Sequence, residues 1–277
     1  MMKCLILTQQ RDRTMDDYAA IAKIFEERTQ DLDFFKNAEV LYIKKNIEYI
    51  LKTDVKQLIF LVGEPGVGKS AFLSYFSTFF PQYSIIKFDM PFFEPVDFVT
   101  TLIKKSGEEV ENFSLDALIK QVVEIYNTKN YIILIDEAQL LSKQMIEIIR
   151  ILSDSKAFWF LLAMHKHESK EILQEPQFAS RPHKVLELQV LQKSEYKDFI
   201  YTELKHIDRP IVREALSHKY LNFIFKLTHG NLRNLKKLLF HTFLLLQYAH
   251  ENDKKKYQTI SKCLLTMAAI DGDLLDV

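Results

Sequence analysis

Gly63-Glu-Pro-Gly-Val-Gly-Lys-Ser70 follows directly on the apolar run Gln57-Leu-Ile-Phe-Leu-Val62. That is a G-x-x-x-x-G-K-[ST] loop leaving a strand, the pattern of a phosphate-binding P-loop. Its glycines let the chain curl so that successive backbone N–H groups face one centre, and the N-terminus of the following helix adds to the positive field. The backbone from Gly63 through Glu64, Pro65, Gly66, Val67, Gly68, Lys69 and Ser70 to Ala71 is read as the cradle. Lys69 is suited to reach the β- and γ-phosphates of a nucleoside triphosphate, and the Ser70 hydroxyl to ligate Mg²⁺. The competing reading is a chance match in a glycine turn. Context argues against it, because a strand precedes the loop and Ala71, Phe72, Tyr75, Phe76 and Phe79 recur at helical spacing after it. The chain holds 6 glycines, and three of them stand in this loop.

Outward from the loop the chain alternates. Short β-branched or aromatic runs at Gln57–Val62, Ser84–Phe88, Tyr131–Ile135, Phe158–Met164 and Lys184–Leu188 read as strands. Helical patterns lie between them, at Ala71 to about Pro81, Val96–Lys105, Leu115–Asn127, Lys143–Leu152 and Glu168–Leu173. This predicts an α/β fold with a five-stranded parallel sheet covered on both faces. Upstream, helices are expected over Asp16–Glu27 and Ala38–Leu51. From Ser194 the pattern is helical only, with candidates at Ser194–Lys205, Arg209–Leu227, Asn231–His250 and Tyr257–Ile270. The expected organisation is an N-terminal helical extension over 1–34, an α/β core over 35–190 and an all-α subdomain over 191–277.

Tyr131-Ile-Ile-Leu-Ile-Asp136-Glu137 is an apolar strand ending in two carboxylates. In a parallel sheet the C-terminal ends of the strands face the ligand crevice, beside the P-loop. Asp136 then holds Mg²⁺ together with Ser70, and Glu137 accepts a proton from the water that attacks the γ-phosphorus. Asp136-Glu-Ala-Gln139 also resembles motif II of superfamily-2 helicases, but no Ser-Ala-Thr or Q-x-x-G-R-x-x-R follows, and the remaining length leaves no room for a second such core. Three further positions are candidates. His165 ends the fourth strand as a sensor of the γ-phosphate; its rival readings are a surface histidine or a metal pair with His167. Arg181, in Phe178-Ala-Ser-Arg-Pro182, is either an arginine finger toward a neighbouring subunit or a cap on the core. Arg233, in Gly230-Asn-Leu-Arg-Asn-Leu-Lys236, opens a helix behind a Gly-Asn turn and cap, and either contacts the γ-phosphate or lies on the surface.

Bulk composition narrows the partners. With 37 basic and 37 acidic residues the net charge is zero, so nothing global argues for nucleic acid or an anionic membrane. The region 190–262 is locally basic, with 14 Lys and Arg against 7 Asp and Glu. That fits a solvated helical surface or a face for nucleic-acid phosphates. Cys4 and Cys263 are too few and too distant for a metal or disulfide framework, which fits a reducing cytoplasm. The apolar run after Met1 is too short for a signal peptide, and no segment approaches the ~18 uninterrupted apolar residues of a membrane span.

With these residues in place the chain resembles the AAA+ ATPases, over about Phe35 to Asp271. The resemblance rests on Gly63–Ser70, Ile135-Asp-Glu-Ala-Gln139, Ile149-Arg-Ile-Leu-Ser153, Leu162-Ala163, Arg181 leading to Leu186-Glu-Leu-Gln-Val-Leu191, Glu195-Tyr-Lys-Asp-Phe-Ile200 and His229-Gly-Asn-Leu-Arg233. Within that superfamily it is similar to the branch of ExeA/MshM-type secretion and pilus-assembly ATPases and TniB-type transposition ATPases. Where members of that branch often carry Gly-Gln-Pro after the fourth strand, this chain has Met164-His-Lys166. The resemblance implies a P-loop core with a helical lid, bound Mg-ATP, hydrolysis, and homo-oligomeric assembly through Arg181. It implies partners in a secretion, pilus or DNA-uptake machine, or DNA itself in transposition or replication; the remaining alternative is a switch that binds nucleotide without hydrolysing it. Secretion-type members often continue into a transmembrane helix, so a chain ending at Val277 is expected to be a stand-alone cytoplasmic form.

Overall fold

The computed structural model describes residues 18–26, 34–89, 94–174, 182–204 and 218–275. After a short helix α1 (residues 18–24), the chain runs α2 (Ala38–Thr53), β1 (Leu58–Gly63), α3 (Lys69–Ser74), α4 (Phe76–Phe79), β2 (Ser84–Phe88), α5 (Pro95–Ser106) and α6 (Leu115–Asn127). It continues β3 (Tyr131–Ile135), α7 (Lys143–Asp154), β4 (Trp159–His165), α8 (Lys166–Gln174) and β5 (His183–Glu187). Helices α9 (Tyr196–Glu203), α10 (His218–Thr228), α11 (Leu232–Glu251) and α12 (Lys262–Asp271) complete it. The chain divides into two compact units, Lys36–Gln189, and Met1–Phe35 with Val190–Val277.

The first unit is the expected α/β layer structure. Its five strands pair in parallel in the order β2-β3-β4-β1-β5. Strand β1 lies between β4 and β5 and is buried along its whole length. A strand covered on both faces has no reason to alternate, which is why Leu58-Ile-Phe-Leu-Val62 reads as a continuous apolar run. The edge strand β5 is the exception, with Lys184 and Val185 exposed. Helix α5 starts with Pro95 in its first turn and stops at Gly107, where φ is 88°. Proline pre-sets the opening turn, and glycine takes the left-handed cap without a Cβ penalty. The core includes Phe60, Phe98, Leu118, Tyr126, Phe158 and Phe160, all fully buried. The Tyr126 hydroxyl donates to the Leu102 carbonyl at 2.8 Å, which ties α6 to α5.

The helix expected to run from the P-loop to Pro81 is in fact two. It breaks at Tyr75, leaving α3 with six residues and α4 with four. The aromatic periodicity survives the break because Phe72, Phe76, Phe79 and Phe80 all face the core.

The second unit is helical throughout its described residues. Helix α11 buries Leu235, Leu238, Leu239, Thr242, Phe243, Leu246 and Ala249, a stripe at three- and four-residue spacing. Helix α1 belongs to this core. Tyr18, Ile21, Ala22 and Phe25 are buried in it, Phe25 stacks on Phe243 at 5.8 Å and Tyr18 on His250 at 5.1 Å. Helix α12 begins five residues later than its apolar pattern indicates, because Ser261 accepts from the Leu264 N–H at 3.2 Å and fixes the start. Among the described residues no helix is long and apolar enough to cross a membrane.

Candidate nucleotide site

The loop Gly63–Ser70 leaves the C-terminal end of β1. A Cβ on Gly63 would lie 2.6 Å from the Leu188 carbonyl oxygen and 3.0 Å from a Val67 methyl. The close approach follows from β5 passing alongside, where the Leu188 N–H donates to the Val62 carbonyl at 2.8 Å. Gly66 and Gly68 have φ of 79° and 105°, a left-handed turn that other residues enter at a cost of about 1–2 kcal/mol. The turn hands the chain to α3, whose first bond runs from the Phe72 N–H to the Gly68 carbonyl at 2.9 Å. Lys69 curls back into this loop. It is 6% exposed, and its Nζ donates to the carbonyls of Gly63 at 2.9 Å and Glu64 at 3.0 Å. A buried ammonium drawn back into a glycine loop at the start of a helix gives the loop the field an anion needs.

Asp136 stands at the end of β3 and is 5% exposed. Burial raises its pKa above the ordinary carboxylate value, against the lowering effects of a hydrogen bond from Ser70 and one from the Glu137 N–H. That backbone bond is 2.9 Å long, and Lys87 on β2 contributes a weaker electrostatic offset. A hydroxyl paired with a desolvated carboxylate is a hard-oxygen donor set of the kind Mg²⁺ takes, so Ser70 and Asp136 fit that cation.

Glu137 has a left-handed backbone, φ 50° and ψ 38°. Its Oε2 accepts from the Gln139 side-chain amide and lies 3.5 Å from His165 Nε2. His165 ends β4 and pairs in register with Gly63, so it flanks the start of the P-loop. Its Nδ1 is 3.9 Å from Glu168. Sequence reading took Gln139 only as part of a motif and missed its contact with His165, because the two are 26 residues apart. It also missed the ion pair of Lys166 with Glu187, which raises the lysine pKa, with a smaller contribution from Glu64 in the P-loop.

Arg181 lies outside the described residues. Arg233 sits in the helical unit, exposed in the first turn of α11, behind the Asn231 cap that accepts from the Asn234 N–H at 3.1 Å. The preceding turn is strongly determined. His229 and Gly230 are both left-handed, at φ 50° and 80°, and a Cβ on Gly230 would lie 2.6 Å from the Leu191 carbonyl oxygen. A buried relay anchors it: the Gly230 N–H donates to the Tyr196 hydroxyl at 2.8 Å, that hydroxyl meets Thr228 Oγ1 at 2.6 Å, and Thr228 donates to the Ile224 carbonyl at 2.9 Å. Because Tyr196 accepts from one neighbour and Thr228 donates to the next, Tyr196 must be the donor to Thr228.

Comparison with known proteins agrees with this geometry. Residues 52–173 match the model of the AAA domain. No curated protein matches the chain. Among solved structures it is similar to the Aeropyrum pernix ORC2 protein, with a TM-score of 0.62 and 11% identity over 92% of this chain and 72% of that one. It is similar to Drosophila ORC bound to DNA, with a TM-score of 0.64 and 11% identity, over 91% of this chain and 65% of that one. A Thermotoga maritima RuvB variant matches at TM-score 0.57 and 19% identity, over 91% of this chain and 77% of that one. Strand order, P-loop, carboxylate strand and the matched stretch 52–173 converge on an AAA+ P-loop nucleoside triphosphatase fold.

Proposed function

We propose that this protein binds and hydrolyses Mg-ATP and uses the cycle to drive a conformational change or an assembly step. The observation that carries the reading is the buried Lys69 in the left-handed glycine loop at the end of β1, together with the buried Asp136 carboxylate at the end of β3. On this reading residues 35–190 are the nucleotide core and 191–277 the lid, with 1–34 an extension whose helix α1 packs into the core of the helical unit. Gly63 to Ala71 hold the phosphates, and Lys69 neutralises charge that develops on the β–γ bridging and γ oxygens. Ser70 and Asp136 would hold Mg²⁺, which when bound would supply electrostatic stabilisation of that same charge. Glu137 takes the proton of the attacking water as its oxygen bonds to the γ-phosphorus and the bond to ADP breaks. His165 and Arg233 report the γ-phosphate within one chain, and Arg181 does so toward a second copy.

The metal-dependence is testable. Phosphate release with Mg-ATP is expected to vanish on chelation and to fall about 100-fold or more in Asp136→Asn, the scale of losing one electrostatic stabiliser. The same substitution is expected to raise the melting temperature of the nucleotide-free protein. Burial raises the folded-state pKa of Asp136, so its ionised form opposes folding above the ordinary carboxylate range. That gain is absent at pH values below the unfolded carboxylate pKa, where parent and variant are both neutral at this position. Parental turnover in Asp136→Asn would remove the metal role.

The machine served is read from two sources. The likeness to secretion and pilus ATPases supports a cytoplasmic motor or assembly factor for a secretion, type IV pilus or DNA-uptake apparatus. A DNA-acting adaptor for transposition or replication is supported by the local basic excess over 190–262 and by the fold similarity to an ORC solved on DNA. Titrating labelled duplex DNA at rising salt, with ATP present, discriminates. The DNA reading requires binding at low salt that weakens steeply as salt rises, and no binding at low salt eliminates it.

A further inference from the structure

We infer that Gln139 is a positioning residue that sets the side-chain direction of Glu137; the inference rests on the reading of Glu137 as the base. Gln139 lies in the one-turn 3-10 helix Ala138–Leu140 and is half-buried. Its amide has two ends and two different neighbours. The Nε2 group donates to Glu137 Oε2, and Oε1 accepts from the His165 backbone N–H at 3.4 Å. Only one orientation serves both. A flipped amide would set its carbonyl against a carboxylate and its N–H₂ against a backbone donor. The side chain is therefore a directional bracket between the exit of β3 and the last residue of β4.

The bracket matters because Glu137 cannot be held by its own backbone alone. Its φ of 50° takes the backbone out of the extended conformation of β3. Both polar contacts, from Gln139 and from His165 Nε2 at 3.5 Å, fall on Oε2. Oε1 is then the oxygen presented to the attacking water. Since β4 pairs with β1 at His165 and Gly63, the same amide references the base to the strand that carries the P-loop. A base misdirected by an ångström loses rate without losing nucleotide affinity.

Two substitutions separate this role from a structural one. Gln139→Met keeps the length and removes both hydrogen bonds. Gln139→Glu keeps an acceptor for the His165 N–H but places a carboxylate against Glu137. Positioning predicts that kcat falls about tenfold in Gln139→Met and further in Gln139→Glu, with KM and ATP affinity near the parent in both. A tie that merely secures the end of β4 predicts the reverse order, with Gln139→Glu the milder change. ATP affinity and melting temperature report whether each variant folds. The reverse order, parental kcat in both, or a kcat loss that tracks lost affinity or stability overturns the inference. Glu137→Gln, measured alongside, tests the base itself. If that variant turns over normally, the underlying reading fails; if it is inactive while both Gln139 variants match the parent, only the bracket fails.

Discussion

Replacing Glu137 by Gln is expected to lower ATP turnover by about 10²–10⁴-fold, the range for loss of a general base, with ATP affinity within about threefold of the parent. The substitution is nearly isosteric. It keeps an oxygen able to accept from Gln139 and leaves the left-handed turn at residue 137 unchanged in shape. Lys69, Ser70 and Asp136 are untouched, so the phosphate cradle and the cation pair remain. On the proposed reading, what disappears is the carboxylate that takes a proton from the attacking water. The variant should hold ATP long enough for assembly to be read by sizing with and without nucleotide. A mass increase with ATP supports a site completed by a second copy, and an unchanged mass argues for a self-sufficient chain. Turnover at the parental rate would remove Glu137 from the mechanism as the general base.

The parts of this site that were legible from sequence share a physical cause. Strands β1, β3 and β4 are covered on both faces, so their apolar runs are continuous, and their ends, where polar residues first appear, mark the crevice. Gly63–Ser70, Asp136, Glu137 and His165 all announce themselves at such an end. Contacts between ends are another matter. The Gln139–His165 bond spans 26 residues and depends on β3 and β4 being neighbours, and nothing local in either segment encodes that adjacency. The same applies to α1. Its apolar face was visible in Tyr18, Ile21 and Phe25, but its partners Phe243 and His250 lie more than 200 residues away. The break at Tyr75 was hidden for a different reason. Helical spacing of aromatics continues across it, so periodicity alone could not register a change in backbone.

Lys69→Met is expected to weaken ATP binding by about 100-fold or more while leaving the fold intact. The parent lysine is an almost fully buried cation whose Nζ donates to two carbonyl oxygens, at 2.9 and 3.0 Å. Burying such a charge is unfavourable, and removing it relieves that cost. Against this, two carbonyls lose a donor, at about 1–3 kcal/mol for each group left wholly unsatisfied. Glu64 is exposed, so water can replace the donor at its carbonyl; the Gly63 carbonyl is buried and loses its donor, a cost that relief of the buried charge offsets, so the net change in stability is small. Methionine nearly fills the lysine stem's volume, so no cavity adds to the balance. On the proposed reading binding has no such compensation, since the ammonium is the cation the loop itself would bring to the β- and γ-phosphates. Titration calorimetry with ATP and a thermal melt on the same sample separate the two effects. A folded variant with parental ATP affinity would show that the lysine is a loop clamp and nothing more, whereas a folded variant that no longer binds ATP assigns it to the phosphates.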